Sequence, residues 1–94
     1  MEVKYSIKYH PLVVKEDIPK LDDVNRIRIK QAIEEKLMTA PELFGIPLRR
    51  SLKGHRKLRV GDYRIIFRIQ SREVLIFIIE HRSVVYSHVQ KMGR

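Results

Sequence analysis

The sequence has no cysteine, which excludes disulfide bonds and thiolate metal sites and is compatible with a reducing compartment. No apolar run approaches the ~20 residues that a membrane-spanning helix needs. The first ten residues, MEVKYSIKYH, alternate and carry charge, unlike a secretion signal. A cytoplasmic protein is the simplest expectation. Nucleotide and hydrolase signatures are also missing: there is no phosphate loop, no G-x-G-x-x-G and no G-x-S-x-G. The histidines (10, 55, 81 and 88) show no metal-ligand spacing, so neither metal nor cofactor is expected. Scarcest of all is negative charge in the second half. Over residues 43–94 only Asp62, Glu73 and Glu80 oppose twelve Lys and Arg, whereas over residues 1–42 eight basic residues balance eight acidic ones. The net charge of +9 therefore belongs to the second half. This partition argues for one face built to meet phosphates. The excess lies on strand-like segments, so a helix-turn-helix reader of DNA, with its basic recognition helix, fits poorly.

What is present describes one globular domain over residues 1–94, with 44% hydrophobic and 33% charged residues. Val3, Tyr5, Ile7 and Tyr9 alternate with polar residues, the period of a strand with one buried face. Residues 11–18 (PLVVKEDI) predict a short helix stopped near Pro19. A second helix is clearer: Asp22 or Asp23 can cap it, and Ile29, Ile33 and Leu37, with Ala32 beside them, carry it to about Met38. The two helices should form an antiparallel hairpin. Residues 39–47, with two prolines and a glycine, are expected as a loop. Strand signals follow at Leu48–Leu52, His55–Val60, Tyr63–Gln70 and Val74–Glu80, an antiparallel meander. The run VLIFII (74–79) does not alternate and predicts a central strand buried on both faces. Val85, Val89 and Met92 then mark a short C-terminal helix or tail. The predicted fold class is α+β, with helices packed on the meander.

The stretch HRKLRVGDYRIIFR (55–68) concentrates the chemistry. Gly61-Asp62 suits a two-residue hairpin turn. With Val60 and Tyr63 flanking it, Leu58, Val60, Tyr63, Ile65 and Phe67 share a core-facing side. His55, Lys57, Arg59, Arg64 and Arg68 share the other, with Arg59 opposite Arg64. Like charges directly opposite destabilise a sheet, so the cluster implies a polyanion to bind. The end of the last strand should lie beside Tyr63 and Arg64, which lets His81, Arg82 and Tyr86 approach the same site. Cations around an imidazole suit phosphodiester cleavage by internal transesterification. That reaction needs a base for the 2′-hydroxyl proton, an acid for the leaving 5′-oxygen and cations for the phosphorane. Lys57 and His81 are the candidate proton carriers, and Tyr86 can stack on an unpaired base.

At these residues the chain resembles the RelE/ParE superfamily of toxins from type II toxin–antitoxin pairs. The resemblance rests on L-R-V-G-D-Y-R-I-I-F-R-I (58–69), VLIFII and H-R-S-V-V-Y (81–86), and on the order strand, two helices, meander. For the RelE-like branch it implies a metal-independent endoribonuclease that cuts mRNA in the ribosomal A site. It also implies a cognate antitoxin that wraps the toxin. By position, Lys57 matches a catalytic lysine, Arg64 the arginine on the scissile phosphate, Tyr86 the substrate-stacking tyrosine and Arg82 a nearby basic residue. His55 stands where the best-known RelE members have a second lysine. A ParE-like inhibitor of DNA gyrase and a non-catalytic RNA-binding module are the competing implications.

Overall fold

The computed structural model describes residues 4–48 and 54–85. The alternating N-terminal segment forms β1 (Ser6–Tyr9). A helical stretch follows, wide-wound over Val13–Asp17 and tightening to a 3₁₀ turn over Ile18–Lys20 that takes in Pro19 instead of stopping before it. The principal helix, α1 (Asp23–Ala32), is capped by Asp22, whose carboxylate accepts the Asn25 N–H at 2.8 Å. It runs on as a wide turn over Ile33–Leu37, closed by Met38 N–H donating to the Ile33 carbonyl at 3.0 Å. The sequence supplies the reason for this unwinding. Ile29, Ile33 and Leu37 recur every four residues, and all three are buried. At about 3.6 residues per turn such a row drifts roughly 40° per step. A single turn with i to i+5 bonds absorbs the drift and keeps the row on the core.

Residues 39–47 are more than the expected loop. They hold a one-turn helix, α2 (Pro41–Phe44), and a short strand, β2 (Ile46–Pro47). Gly45 joins them where an added methyl would overlap the Phe67 ring. The strand expected over Leu48–Leu52 thus starts earlier. Ile46 and Pro47 pair with Lys57 and Arg56, and the Leu48 N–H donates to the His55 carbonyl at 2.9 Å. Residues 49–53 lie outside the described residues.

The strands β3 (His55–Val60), β4 (Tyr63–Gln70) and β5 (Glu73–His81) form the expected meander. The sheet order is β1-β5-β4-β3-β2, with β1 parallel to β5 and the other pairs antiparallel. The centre of that order belongs to β4, with β5 beside it. The helices cover one face, where Val13, Leu21, Ile29, Ile33 and Leu37 pack with Leu58, Ile65, Phe67, Val74, Ile76 and Ile79. Between β1 and α1 a groove of about 450 Å³ is lined by Ile7, Tyr9, Ile29, Ile33 and Met38. Burial, and then the Glu34 charge, push the Tyr9 hydroxyl above its ordinary pKa of 10.0.

The other face of the sheet, its outer face, carries a second apolar cluster of Ile66, Phe77, Ile78 and Val85. β5 is therefore buried on both sides, as VLIFII implies. Phe77 and Ile78 both belong to this cluster because β5 bulges. Ile66 pairs with Ile78 and Phe67 with Ile76, which leaves Phe77 as the extra residue. Beyond the bulge the alternation is inverted, so Ile79 joins the helix-side core. The C-terminal helix or tail expected beyond Val85 lies outside the described residues.

β1 accompanies β5 only as far as Ile76. Past that point the buried Asp17 takes over the open edge, accepting the Ile79 N–H at 3.0 Å. An orphaned buried N–H costs about 1–3 kcal/mol. Asp17→Ala should lower the free energy of unfolding by that order in urea titrations. Asp17→Asn, which keeps an acceptor oxygen, should lose less.

Candidate functional site

The site is built on the turn between β3 and β4. Val60 pairs with Tyr63, so Gly61 and Asp62 are the two turn residues, and Gly61 has φ +59°. Asp62 has no positive φ, which matches a II′ turn, with glycine at its first central position. This register places Arg59 directly opposite Arg64 and Lys57 opposite Ile66. Lys57 and Arg64 are thus diagonal neighbours, with backbone positions roughly 7–8 Å apart. Arg59 is exposed, and Lys57 and Arg64 are half-buried. The Arg64 guanidinium folds back over the turn, where Nη1 donates to the carbonyls of Gly61 at 3.1 Å and Tyr63 at 2.9 Å.

The bulge changes what stands beside Arg64. Its register partner on β5 is Glu80, whereas His81 pairs with Tyr63 and shares that residue's side of the sheet. The His81 and Tyr63 rings meet edge-on with centroids 5.6 Å apart. The Ser83 main-chain N–H donates to His81 Nδ1 at 3.1 Å, and the Ser83 hydroxyl lies 2.9 Å from the same nitrogen. Arg82 follows, exposed, with its N–H donating to the Asp62 carbonyl at 2.8 Å and its Nε 3.9 Å from the Asp62 carboxylate. Arg64, His81 and Arg82 therefore all fasten onto the three consecutive residues Gly61 to Tyr63. They converge at the hairpin tip, with His81 approaching from the helix side and not across the open face.

Beside His81 the tip opens into a cleft of about 280 Å³ that Asp17, Lys20, Tyr63 and Glu80 also line. The sequence reading missed this cleft, because only the bulge turns His81 towards Asp17. The far end of the outer face has a different character. His55 is 7% exposed, with its ring centroid 4.5 Å from that of Phe77, and the Arg68 guanidinium carbon lies 5.5 Å from the same ring. Both are expected to meet a polyanion, and both pack on the bulge phenylalanine. Tyr86 lies outside the described residues.

The architecture is thus a mixed sheet with a helical layer on one face and an arginine-rich hairpin tip. The family model for the ParE toxin of the type II toxin–antitoxin system parDE matches residues 7–86. The chain belongs to this family, within the RelE/ParE superfamily, and is the toxin of such a pair. Among solved structures, the RelBE2 toxin–antitoxin complex from Mycobacterium tuberculosis is similar at 29% identity. That match has a TM-score of 0.79 and covers 86% of this chain and 94% of that chain. The RelB–RelE antitoxin–toxin complex from Methanococcus jannaschii has 23% identity and a TM-score of 0.66, over 86% and 96% of the two chains. The DinJ–YafQ complex from E. coli has 18% identity and a TM-score of 0.58, over 88% and 99%. The last two share the fold. No curated protein sequence matches the chain.

The division of the outer face is testable with a single-stranded oligonucleotide as a generic polyanion. His55→Phe keeps a ring against Phe77 and should leave affinity unchanged. Arg59→Gln should reduce the slope of log K against log salt by about 0.7, the loss of one phosphate contact. Fluorescence anisotropy over a salt series reads both.

Proposed function

We propose that this toxin is a ribosome-dependent mRNA endoribonuclease that works by transesterification without a metal. The observation that supports this best is the convergence of Arg64, Arg82 and His81 on the hairpin tip, with Lys57 diagonal to Arg64. In the reaction the 2′-oxygen attacks phosphorus and the bond to the 5′-oxygen breaks, leaving a 2′,3′-cyclic phosphate and a 5′-hydroxyl. Arg64 and Arg82 stabilise the charge that develops on the phosphoryl oxygens. His81, held at Nδ1 by the Ser83 N–H, and Lys57 are the candidates to carry the two protons, one from the 2′-hydroxyl and one to the leaving 5′-oxygen. Tyr86 takes the base-stacking role that the family resemblance gives it.

The partners in this reading are mRNA on the ribosome and a cognate antitoxin. Two of the similar structures are RelB–RelE-type toxin–antitoxin complexes. The groove between β1 and α1, with Val24 and Ile27 exposed nearby on α1, offers apolar surface for an antitoxin to cover.

Arg64→Ala should slow ribosome-dependent cleavage by roughly 10²–10³-fold, the usual effect of removing one preorganised donor at a developing oxyanion. Mapping of cut mRNA ends gives the rate, and circular dichroism checks the fold. Full activity in Arg64→Ala would defeat the assignment. The ParE description of the matching family raises a rival, a gyrase-directed toxin. Inhibition of DNA supercoiling by the unaltered protein, without mRNA cleavage on ribosomes, would establish that rival instead.

A further inference from the structure

The turn that anchors Arg64 and Arg82 is approached by a third guanidinium, from a different layer of the fold. Arg28, on α1, is exposed and reaches across to the backbone of Gly61. A Cβ at that position would sit 3.3 Å from both of its terminal nitrogens. Among the described residues no carboxylate lies within ion-pair distance of Arg28. Arg59 adds a fourth arginine from β3, its backbone paired with that of Arg64. Arginines from α1, β3, β4 and the end of β5 are thus gathered at the hairpin tip. The acids facing them are Asp62, 3.9 Å from Arg82, and Glu80, the register partner of Arg64. Gathering like charges around one turn is unfavourable in the isolated protein. Glycine at 61 serves this arrangement twice, by taking the positive φ and by leaving room for the Arg28 guanidinium.

We propose that this cluster is a phosphate-binding collar, in which Arg28 holds a backbone phosphate of an RNA strand next to the one held by Arg64 and Arg82. The collar rests on the RNA-directed reading above, but it concerns binding and not the chemical step. Arg28 belongs to the half of the sequence without net charge, so the basic surface does not end where the charge partition does. It continues from the outer face, around the hairpin tip and onto the helix layer, the path of a strand that wraps the tip.

The test uses the full chain and two probes, a single-stranded 2′-O-methyl RNA oligonucleotide that cannot be cleaved and vacant ribosomes. Arg28→Gln exchanges two residues of similar helix propensity on an exposed helix face, so folding should persist. Lys15→Gln, on the first helical stretch and outside the collar, is the charge-matched control. Arg28→Gln should bind the oligonucleotide about fivefold more weakly, the upper range for one exposed charge contact. Its log–log salt slope should fall by about 0.7. Lys15→Gln should behave as the parent, and Arg28→Lys should keep most of the slope. If the slope falls on ribosomes but not on the oligonucleotide, the collar holds and its phosphates are ribosomal. If Arg28→Gln matches Lys15→Gln on both probes, the collar is overturned. An unaltered protein that binds through Arg28 but cuts no RNA would retire the endonuclease and leave the collar standing.

Discussion

The two-residue turn at Gly61-Asp62 is the constraint on which the rest depends. It locks Val60 against Tyr63, and through the two-residue period of a strand that one pairing assigns every side chain of β3 and β4 to a face. Leu58, Ile65 and Phe67 meet the helices, and Lys57, Arg59 and Arg64 do not. A slip of β3 by one residue would turn Lys57 and Arg59 towards the core and Leu58 away from it. The turn is also the anchor of the site, because its carbonyls receive the Arg64 guanidinium and the Arg82 main-chain N–H. One backbone conformation therefore sets both the core and the chemistry.

The second organising feature is the bulge in β5, and it explains what the sequence does and does not disclose. Alternation and turn residues in residues 55–73 suffice to locate β3 and β4 to the residue, together with the faces of all their side chains. The row Ile29, Ile33, Leu37 likewise reveals α1 and its buried stripe. VLIFII, by contrast, is apolar at every position. Its pattern says that both faces are covered but cannot show where one residue is extra. That extra residue, Phe77, decides whether Glu80 or His81 shares the face of Arg64. It also decides the fate of His55 and Arg68, which pack on the Phe77 ring. Seen as sequence they belong to a run of cations, and in the structure both pack on that ring. Similarly, α2 and β2 hide in a proline-containing segment. Their stability comes from packing, such as Gly45 against Phe67, and not from local propensity.

The way the tip holds its arginines bears on how it can act. Arg64 is positioned by main-chain carbonyls, whose dipoles orient the guanidinium without cancelling its charge. A bidentate carboxylate would fix it equally well but would neutralise it. Arg82 is tied more firmly through its own backbone than through its side chain, since its Nε lies 3.9 Å from Asp62 while its N–H is bonded at 2.8 Å. In both cases the geometry comes from the peptide framework and the charge stays available. Electrostatic catalysis requires this combination, because a preorganised charge stabilises a developing oxyanion without reorganisation during the reaction.

That arrangement has a cost, and the cost constrains the partners. Arg59 opposite Arg64 and Arg28 above Gly61 repel one another, and screening by salt reduces the penalty without removing it. The two cores on opposite faces of the sheet supply the stability that tolerates it. A polyanion at the tip would turn repulsion into attraction, so its binding energy includes relief of strain already present in the isolated toxin. The same logic holds for an inhibitor. An acidic segment laid over the hairpin tip would compete with any polyanion for the same guanidiniums, and an apolar segment in the groove beside α1 would add affinity without touching them. A toxin built this way can be silenced by covering charge, with no rearrangement of the sheet that carries it.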